Sequence, residues 1–589
     1  MDNRLRPIGP KYVSEHYTKK EVMIPMRDSV SLFTSIYLPR EGGNYPVIMV
    51  RSPYGVGPYG KSLSPDLYRI YYEFVRNNYI LVFQNVRGTY LSEGTYENIR
   101  PVGRDCVDDA TDTYDTVEWI IGNLPTNGCV GVKGISYPGF YATVAGLCGH
   151  PSIKAISPQA PVTDWFKGDD THLGGAFQMG MYFFASSFMR PRRKPTIRFP
   201  RGLYSPEGDI YDYFLEREPL SDLFSTIEDK VDFIPEMLKH PTYDSFWEER
   251  NPALRLASCK VPTLVVGGWY DGEDAYGSFE TFRKLKELSP DTPSYLVAGP
   301  WYHGGWKKTS YDHLGDVYFG KGSARYFLEK IEYPFFAYYL EGKGDKPHYE
   351  AAVLPSSRTS KQEMENYRIG DNDWEWLSCW PPKAEGRRMY LSAKETLSTN
   401  PPGKDVSFTY TSDPAHPVPY CSETTLVISR DAQVGNQKFA RRRTDVLSFA
   451  SRKLTSPLKV EGRVKVDFKV LSTGGDADII VKLVDIRPDG YCMLVRLGVL
   501  PLRFRNGMHK AEKVVEGEAM DISFELTDLG HIFESGHRVM VQVQSSFFPF
   551  ISMNPQTFLE NPYRATEDDY RKCDITILSG SFVELPVVE

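Results

Sequence analysis

Two kinds of apolar patterning divide this chain, and the change after Gly342-Lys343-Gly344 constrains its fold more than any single motif. Before it, strand-like runs alternate with helical segments. From Glu21 to Arg51, VMIPMRDSVSLFTSIYLP and YPVIMVR are bounded by Pro, Gly and Asp, as successive strands would be. LVFQNVRG (81–88) and CVGVKG (129–134) read as further strands, and Asp108 to Ile121 has the acidic start and apolar spacing of a helix. IKAISPQAP (153–161), VPTLVVGGW (261–269) and PSYLVAGPW (293–301) are three more buried-strand candidates. Such alternation implies an α/β fold with a mainly parallel sheet wrapped by helices. Residues 165–254, rich in Phe, Tyr, Met and Glu, have helical spacing and read as a helical cap, well placed to wall a substrate pocket. From about Tyr349 onward, segments such as VEGRVKVDFKV (460–470), ADIIVKLVDI (477–486) and HRVMVQVQSS (537–546) alternate between turns, which predicts an all-β sandwich of jelly-roll type. The expected organisation is an α/β domain over 1–164 and 255–348, with a polar N-terminal arm at 1–20, a cap at 165–254 and a β domain at 349–589.

Composition narrows the class. At 589 residues, 41% hydrophobic and 25% charged, the chain reads as a soluble globular protein of two or three domains. Its net charge of −7 lacks the basic excess of a nucleic-acid binder, so no nucleic acid is expected as a partner. Eight dispersed cysteines without a Cys-x-x-Cys pair indicate neither a zinc cluster nor a disulfide scaffold. The polar first twenty residues carry no signal-peptide core, and no apolar run is long enough to cross a bilayer. The literal reading is cytoplasmic, without membrane association; a leader removed earlier, from a periplasmic or secreted protein, would leave the same trace. The basic run Arg190 to Lys194 reads as a solvated loop.

The chemistry centres on Ser136, in Val130-Gly131-Val132-Lys133-Gly134-Ile135-Ser136-Tyr137-Pro138-Gly139-Phe140. A strand ending in a sharp turn and then a helix would expose the hydroxyl above a sheet edge, with the next N–H facing a developing oxyanion. An ordinary strand-to-helix turn can have the same glycines, and the five-residue elbow would place glycine where Pro138 stands. A serine nucleophile needs a histidine to take its proton and a carboxylate to orient that histidine. In doubly wound hydrolases both follow the serine, each just beyond a strand. Asp271 follows VPTLVVGGWY, and His303 follows PSYLVAGPWY with two glycines behind it. His150 reads as a helix-terminal residue, His172 as a weaker pocket candidate, and His531 and His537 as residues of the β domain. The backbone N–H of Tyr137 and the hydroxyl of Tyr54 are the expected oxyanion donors, although Tyr54 could equally pack on Pro53 as a turn aromatic.

These residues resemble the cocaine esterase and X-Pro dipeptidyl-peptidase (CocE/NonD) superfamily, from about Tyr17 to the C-terminus. The resemblance lies in IPMRDSV, R-x-P-Y-G, VRG followed by SEG, G-x-S-Y-x-G, GWYDG, GPWYH, and PDG (488–490) with GHR (536–538). It implies an α/β-hydrolase domain with an inserted helical cap and a C-terminal jelly roll, with Pro138 normal at its position. It further implies Ser136, Asp271 and His303 as triad, Tyr54 and Tyr137 as oxyanion hole, and no metal or other cofactor. Within the superfamily, Asp164-Trp165-Phe166-Lys167-Gly168-Asp169-Asp170, Asp271-Gly272-Glu273-Asp274 and HPTYDSFW (240–247) look like the α-amino-acid ester hydrolases. In those enzymes three acids bind the α-ammonium of the substrate, and Asp170, Glu273 and Asp274 occupy those places. Physics agrees: clustered buried acids repel one another, and an ammonium both neutralises them and fixes the acyl carbonyl. Exposed loop acids or helix caps are the competing account.

The expected activity is hydrolysis, and in suitable cases transfer, of α-amino acyl groups from esters and β-lactam amides, with a small-molecule acyl substrate as partner. An X-Pro dipeptidyl aminopeptidase, a cocaine-esterase-like carboxylesterase and a non-catalytic carbohydrate- or protein-binding protein are the alternatives. The resemblance also implies a homo-oligomer, dimer or tetramer, linked by N-terminal arms.

Overall fold

A computed structural model describes residues 8–103, 107–192, 194–203, 208–357, 360–403 and 405–589. The first sheet comprises β1 (Tyr17–Pro25), β2 (Ser31–Pro39), β3 (Tyr45–Ser52), β4 (Ile80–Asn85), β5 (Thr126–Ser136), β6 (Ile153–Pro161), β7 (Thr263–Gly268), β8 (Ser294–Gly299), β9 (Ala351–Val353) and β10 (Glu375–Leu377). Their order is β1-β2-β4-β3-β5-β6-β7-β8-β9-β10. Pairing is parallel from β4 through β9 and antiparallel at the β1, β2 and β10 ends. Central strands are apolar over most of their length because helices cover both faces; Met49, Val132, Val266 and Val297 are all buried.

Helices α1 (Asp109–Asn123), α2 (Tyr137–Ala145) and α3 (Ala275–Leu288) pack on this sheet. The sequence signal for α1 is a capping box: the Asp108 carboxylate accepts from Thr111 N–H, and Thr111 Oγ1 accepts from Asp108 N–H, each at 2.8 Å. Strand order changes direction at β4-β3-β5, which opens a crevice at the C-terminal ends of β3 and β5. Tyr54 follows the first of these strands and Ser136 ends the second.

Between β6 and β7 the chain folds into short helices, among them Gly180–Ser187, Ile210–Leu215, Leu220–Ser225, Phe233–Met237 and Ser245–Arg250. Their aromatic faces, including Tyr182, Phe214 and Phe224, join one core with Val481 and Phe550 of the β domain. His172 is part of that join. Its Nδ1 bonds Trp165 O at 2.8 Å and its Nε2 bonds the Tyr563 hydroxyl at 2.7 Å, so it is a buried tie and not a pocket residue.

Among the described residues the C-terminal part contains a network of thirteen strands, including β11 (Asp478–Ile486), β12 (Cys492–Pro501) and β13 (Arg538–Gln544). After Leu377 the described helical pieces are short 3-10 turns. The boundary expected at residue 349 falls too early, because β9 and β10 extend the first sheet. β9 covers the open edge of β8, and three apolar residues, Ala351-Ala352-Val353, cannot announce which sheet they join. In the expected N-terminal arm, residues 1–7 lie outside the described residues. Pro10–His16 is a helix, and Tyr17 opens β1 with its ring buried and its hydroxyl on Tyr79 O at 2.9 Å. Within the basic run, Arg193 lies outside the described residues and Arg192 covers the Tyr90 ring at 3.9 Å. No described helix is long and apolar enough to cross a membrane.

Candidate active site

Ser136 has φ 69° and ψ −130°, a left-handed backbone position that side chains rarely adopt. The turn demands glycine at 134, where a Cβ would overlap Pro138 O. A Cβ on Gly139 would lie 2.7 Å from Gln159 O, so this glycine provides the close approach of α2 to β6. Pro138 is tolerated because the first turn of a helix has no acceptor for its amide anyway. The missing elbow glycine is thus displaced by one residue.

His303 lies beyond β8, ahead of the left-handed Gly304. Its Nδ1 is 2.9 Å from Asp271 Oδ2, while Asp271 Oδ1 accepts the N–H groups of Glu273 at 2.9 Å and Asp274 at 3.0 Å. Burial alone would raise the Asp271 pKa, but His303 and these N–H groups hold it below the ordinary value. Burial opposes the His303 charge, yet Asp271, Glu273 and Asp170 outweigh it and raise its pKa to about 9. The Ser136 hydroxyl donates to Asp274 Oδ2 at 3.4 Å, not to His303. Tyr54 places its hydroxyl beside Ser136, and its ring stands edge-on to Phe188 and Tyr137. The Tyr137 side chain points elsewhere, its hydroxyl meeting Asn98 Oδ1 at 2.9 Å, which leaves its backbone N–H at the head of α2.

The three acids converge on this spot. Asp274 is fully buried, with Oδ2 also 3.7 Å from His303 Nδ1 and Oδ1 without a partner among the described residues. Burial, then Asp170 and Asp169, push its pKa well up. Asp170 sits at φ 44° and donates its N–H to Glu273 O at 3.1 Å; burial and then Glu273 raise its pKa to about 7. Glu273 Oε2 lies 3.8 Å from His303 Nε2. The neighbouring acids of the same motif are structural instead. Asp169 accepts from the N–H groups of Thr163, Asp164 and Gly277, and Asp164 accepts from the Tyr243 hydroxyl at 2.7 Å, which explains the tyrosine of HPTYDSFW. Among the described residues no group of three or more His, Cys, Asp or Glu could hold a metal ion.

Ser136, His303, Glu273 and Tyr54 line one cavity of about 540 Å³. Sequence reasoning missed its other charged wall, Lys307, Lys308 and Arg430. The Lys-Lys pair four residues after His303 was a readable signal; Arg430, from the β domain, gave none. Its guanidinium lies 3.5 Å from Glu273 Oε1 and over the Tyr302 ring. Other motif residues support the site from below: Arg51 pairs with Asp109 and Asp112, and Arg87 pairs with Asp112 and Asp28.

Comparison with known proteins agrees with this architecture. The family model for X-Pro dipeptidyl-peptidase (S15 family) matches residues 28–305, and that for the X-Pro dipeptidyl-peptidase C-terminal non-catalytic domain matches 342–566. Cocaine esterase of Rhodococcus sp. (strain MB1 Bresler) is 29% identical over 565 residues, covering 91% of this chain and 92% of the relative. A solved α-amino acid ester hydrolase superposes with a TM-score of 0.89 at 32% identity, covering 100% of this chain and 99% of the other. An aminopeptidase from the marine sediment archaeon Thaumarchaeota archaeon gives 0.89 at 30% identity with the same coverage. With fold, coverage and the serine elbow in agreement, the chain belongs to the CocE/NonD superfamily of serine hydrolases.

Proposed function

We propose that this serine hydrolase acts on acyl donors bearing a free α-amino group, esters first and activated amides such as β-lactam side-chain amides second, through an acyl-enzyme on Ser136. One observation carries the reading: the buried Oδ1 of Asp274 lacks a partner, in a cluster with Asp170 and Glu273 beside the serine hydroxyl. A buried carboxylate oxygen without a donor is costly, and an ammonium brings three donors and the missing charge. The names of two similar structures, an α-amino acid ester hydrolase and an aminopeptidase, support the same preference.

In the proposed mechanism Ser136 Oγ attacks the acyl carbon while His303 takes its proton and Asp271 stabilises the imidazolium. The oxyanion receives the Tyr137 N–H and the Tyr54 O–H. His303 then gives its proton to the leaving group, and water repeats the cycle to release the acid. Before substrate arrives, Asp274 holds the hydroxyl and the acids keep His303 protonated at neutral pH. An ammonium occupying the cluster neutralises that charge, releases the hydroxyl and lowers the His303 pKa, so recognition and activation are one event.

The test is a panel of p-nitrophenyl esters with and without the α-amino group. The expected outcome is a preference for the amino form of at least about tenfold in kcat/KM, equal rates being the result that defeats the reading. Ser136→Ala should lose fluorophosphonate labelling and at least about 10³-fold in kcat. An aminopeptidase, including an X-Pro dipeptidyl peptidase, is a second reading favoured by the archaeal structure. Glycyl-prolyl substrates turning over faster than phenylglycine esters would select it.

A further inference from the structure

The cavity is electrically two-sided. Around it stand Glu273, beside Ser136 and His303, and the cations Lys307, Lys308 and Arg430, with Asp66 as a second lining acid. Lys308 and Arg430 both lie over the Tyr302 ring, at 4.8 and 5.4 Å. Lys307 is the inner member of the three. A Cβ built on Gly304 would lie 3.8 Å from its Nζ and 3.7 Å from Ile135, so the ammonium stands beside the residue after His303 and near the residue before Ser136. Among the described residues it makes no ion pair within 4 Å and no hydrogen bond. Burial lowers its pKa, Asp66 offsets this in part, and Lys308, Arg430 and Lys133 lower it again. Lys133 itself is satisfied by Glu332 at 2.5 Å. A cation half withdrawn from water and facing a cavity, with Lys308 and Arg430 near it and Asp66 acting only from beyond ion-pair distance, is the counterpart of the orphaned Asp274.

Position fixes which part of a donor meets Lys307. The proton that releases the leaving group comes from His303. Glu273 also flanks His303 but is tied to Asp170 on the acyl side. Lys307 instead stands beside Gly304, where the cavity continues outward, and so is assigned to the leaving group. Beyond Lys307 a second cavity of about 570 Å³ shares Asp66, Ile70, Lys307 and Lys308 with the first and adds Arg69, Arg76, Arg325 and Glu329, so that its lining cations outnumber its acids. Positive charge therefore continues outward along the leaving-group side.

We propose that Lys307, backed by Lys308 and Arg430, is a carboxylate subsite for the leaving group, so that the preferred donors are zwitterions carrying an ammonium on the acyl part and a carboxylate on the alcohol or amine part. This rests on the ammonium-donor reading and adds the other half of the substrate. Dipeptides with a free C-terminus and α-amino acylated carboxylic acids fit; simple alkyl esters fill the acyl half only. Carboxylate binding gives Lys307 the anion it lacks and aligns the scissile bond at a second point.

The experiment compares phenylglycine esters of 4-hydroxybenzoate and 4-hydroxybenzamide, each normalised to its hydroxide rate, together with their des-amino versions. The wild-type enzyme should favour the carboxylate leaving group by about tenfold or more in kcat/KM at low salt, with the preference shrinking at high salt. Lys307→Gln should bring the ratio near unity, and Lys307→Arg should retain most of it. The ratio is internal to each variant, so it is independent of the amount of folded enzyme. A wild-type ratio near one, or a ratio unchanged in Lys307→Gln, overturns the subsite. Equal rates for amino and des-amino esters overturn the ammonium reading instead, and that comparison is read separately.

Discussion

At the scale of single residues, the site's governing property is surplus negative charge next to its base. With Asp271, Glu273 and Asp170 holding His303 up to about 9, a neutral acyl donor should meet a largely protonated histidine at pH 7. Its kcat/KM should rise with pH toward that value. Asp170→Asn probes this with little backbone disturbance, because asparagine tolerates the left-handed φ of 44° better than other replacements. Removing that charge takes away one influence that raises His303. The acid limb for neutral esters should therefore move to lower pH, and their rate at pH 7 should rise. For α-amino esters the same change deletes a charged acceptor, and kcat/KM should fall about 10- to 100-fold. Opposite signs on the two substrate classes, read from pH–rate profiles, cannot come from partial unfolding. Equal losses on both would remove Asp170 from the ammonium site.

At the scale of elements, strands and catalytic candidates were legible because each depends on a few consecutive residues. The apolar run of β5, the glycines at 134 and 139, and the strand-then-acid and strand-then-histidine patterns at Asp271 and His303 are local signals. What could not be read is pairing between distant segments. Ala351–Val353 joins the hydrolase sheet because β8 has an open edge, and Arg430 reaches Glu273 across a gap of more than a hundred residues. His172 shows the same limit: its acidic neighbours suggested a pocket, while its partners, Trp165 O and Tyr563, place it between the cap and the β domain. Burial lowers its pKa to about 4, so the folded state holds it neutral. The unfolded chain binds a proton near pH 6.5 and the folded chain only near 4, so stability is complete above 6.5 and falls as pH drops between these values, by up to about 3 kcal/mol. His172→Gln should flatten this part of the stability-versus-pH curve while costing some stability at pH 8, measured by urea unfolding. A parallel loss in both proteins between pH 6.5 and 4 would assign the acid sensitivity to other groups.

At the scale of the whole molecule, the β domain acts as the back wall of the Asp271–Asp274 loop. A Cβ on Gly530 would press the Trp269 ring at 2.8 Å, and the Trp269 Nε1–H donates to Leu354 O at 2.8 Å just ahead of Asp271. Arg496 on β12 is buried near Asp271 and donates to Asp528 O at 2.6 Å. The Asp528 carboxylate gathers Arg463 at 2.9 Å, Arg283 of α3 at 3.1 Å and the Trp380 Nε1–H at 3.0 Å, joining the two parts of the chain. Burial would raise its pKa, but the two arginines hold it below the ordinary value, so the ion pairs remain charged. Asp528 is the fully buried carboxylate that both arginines share. Without it, among the described residues, Arg283 and Arg463 keep only the more exposed Glu280 and Glu525, while the Trp380 N–H loses its acceptor. The partner Glu525, half exposed and 3.2 Å from the same Arg463, is an ordinary surface contact of at most about 1 kcal/mol. Asp528→Asn should therefore destabilise the protein far more than Glu525→Gln in thermal or urea unfolding. Because the wall also positions the Asp271–Asp274 loop, Asp528→Asn should lower kcat at temperatures where the fold persists, whereas Glu525→Gln should not. Equal effects of the two substitutions would show that the β domain packs beside the Asp271–Asp274 loop without supporting it.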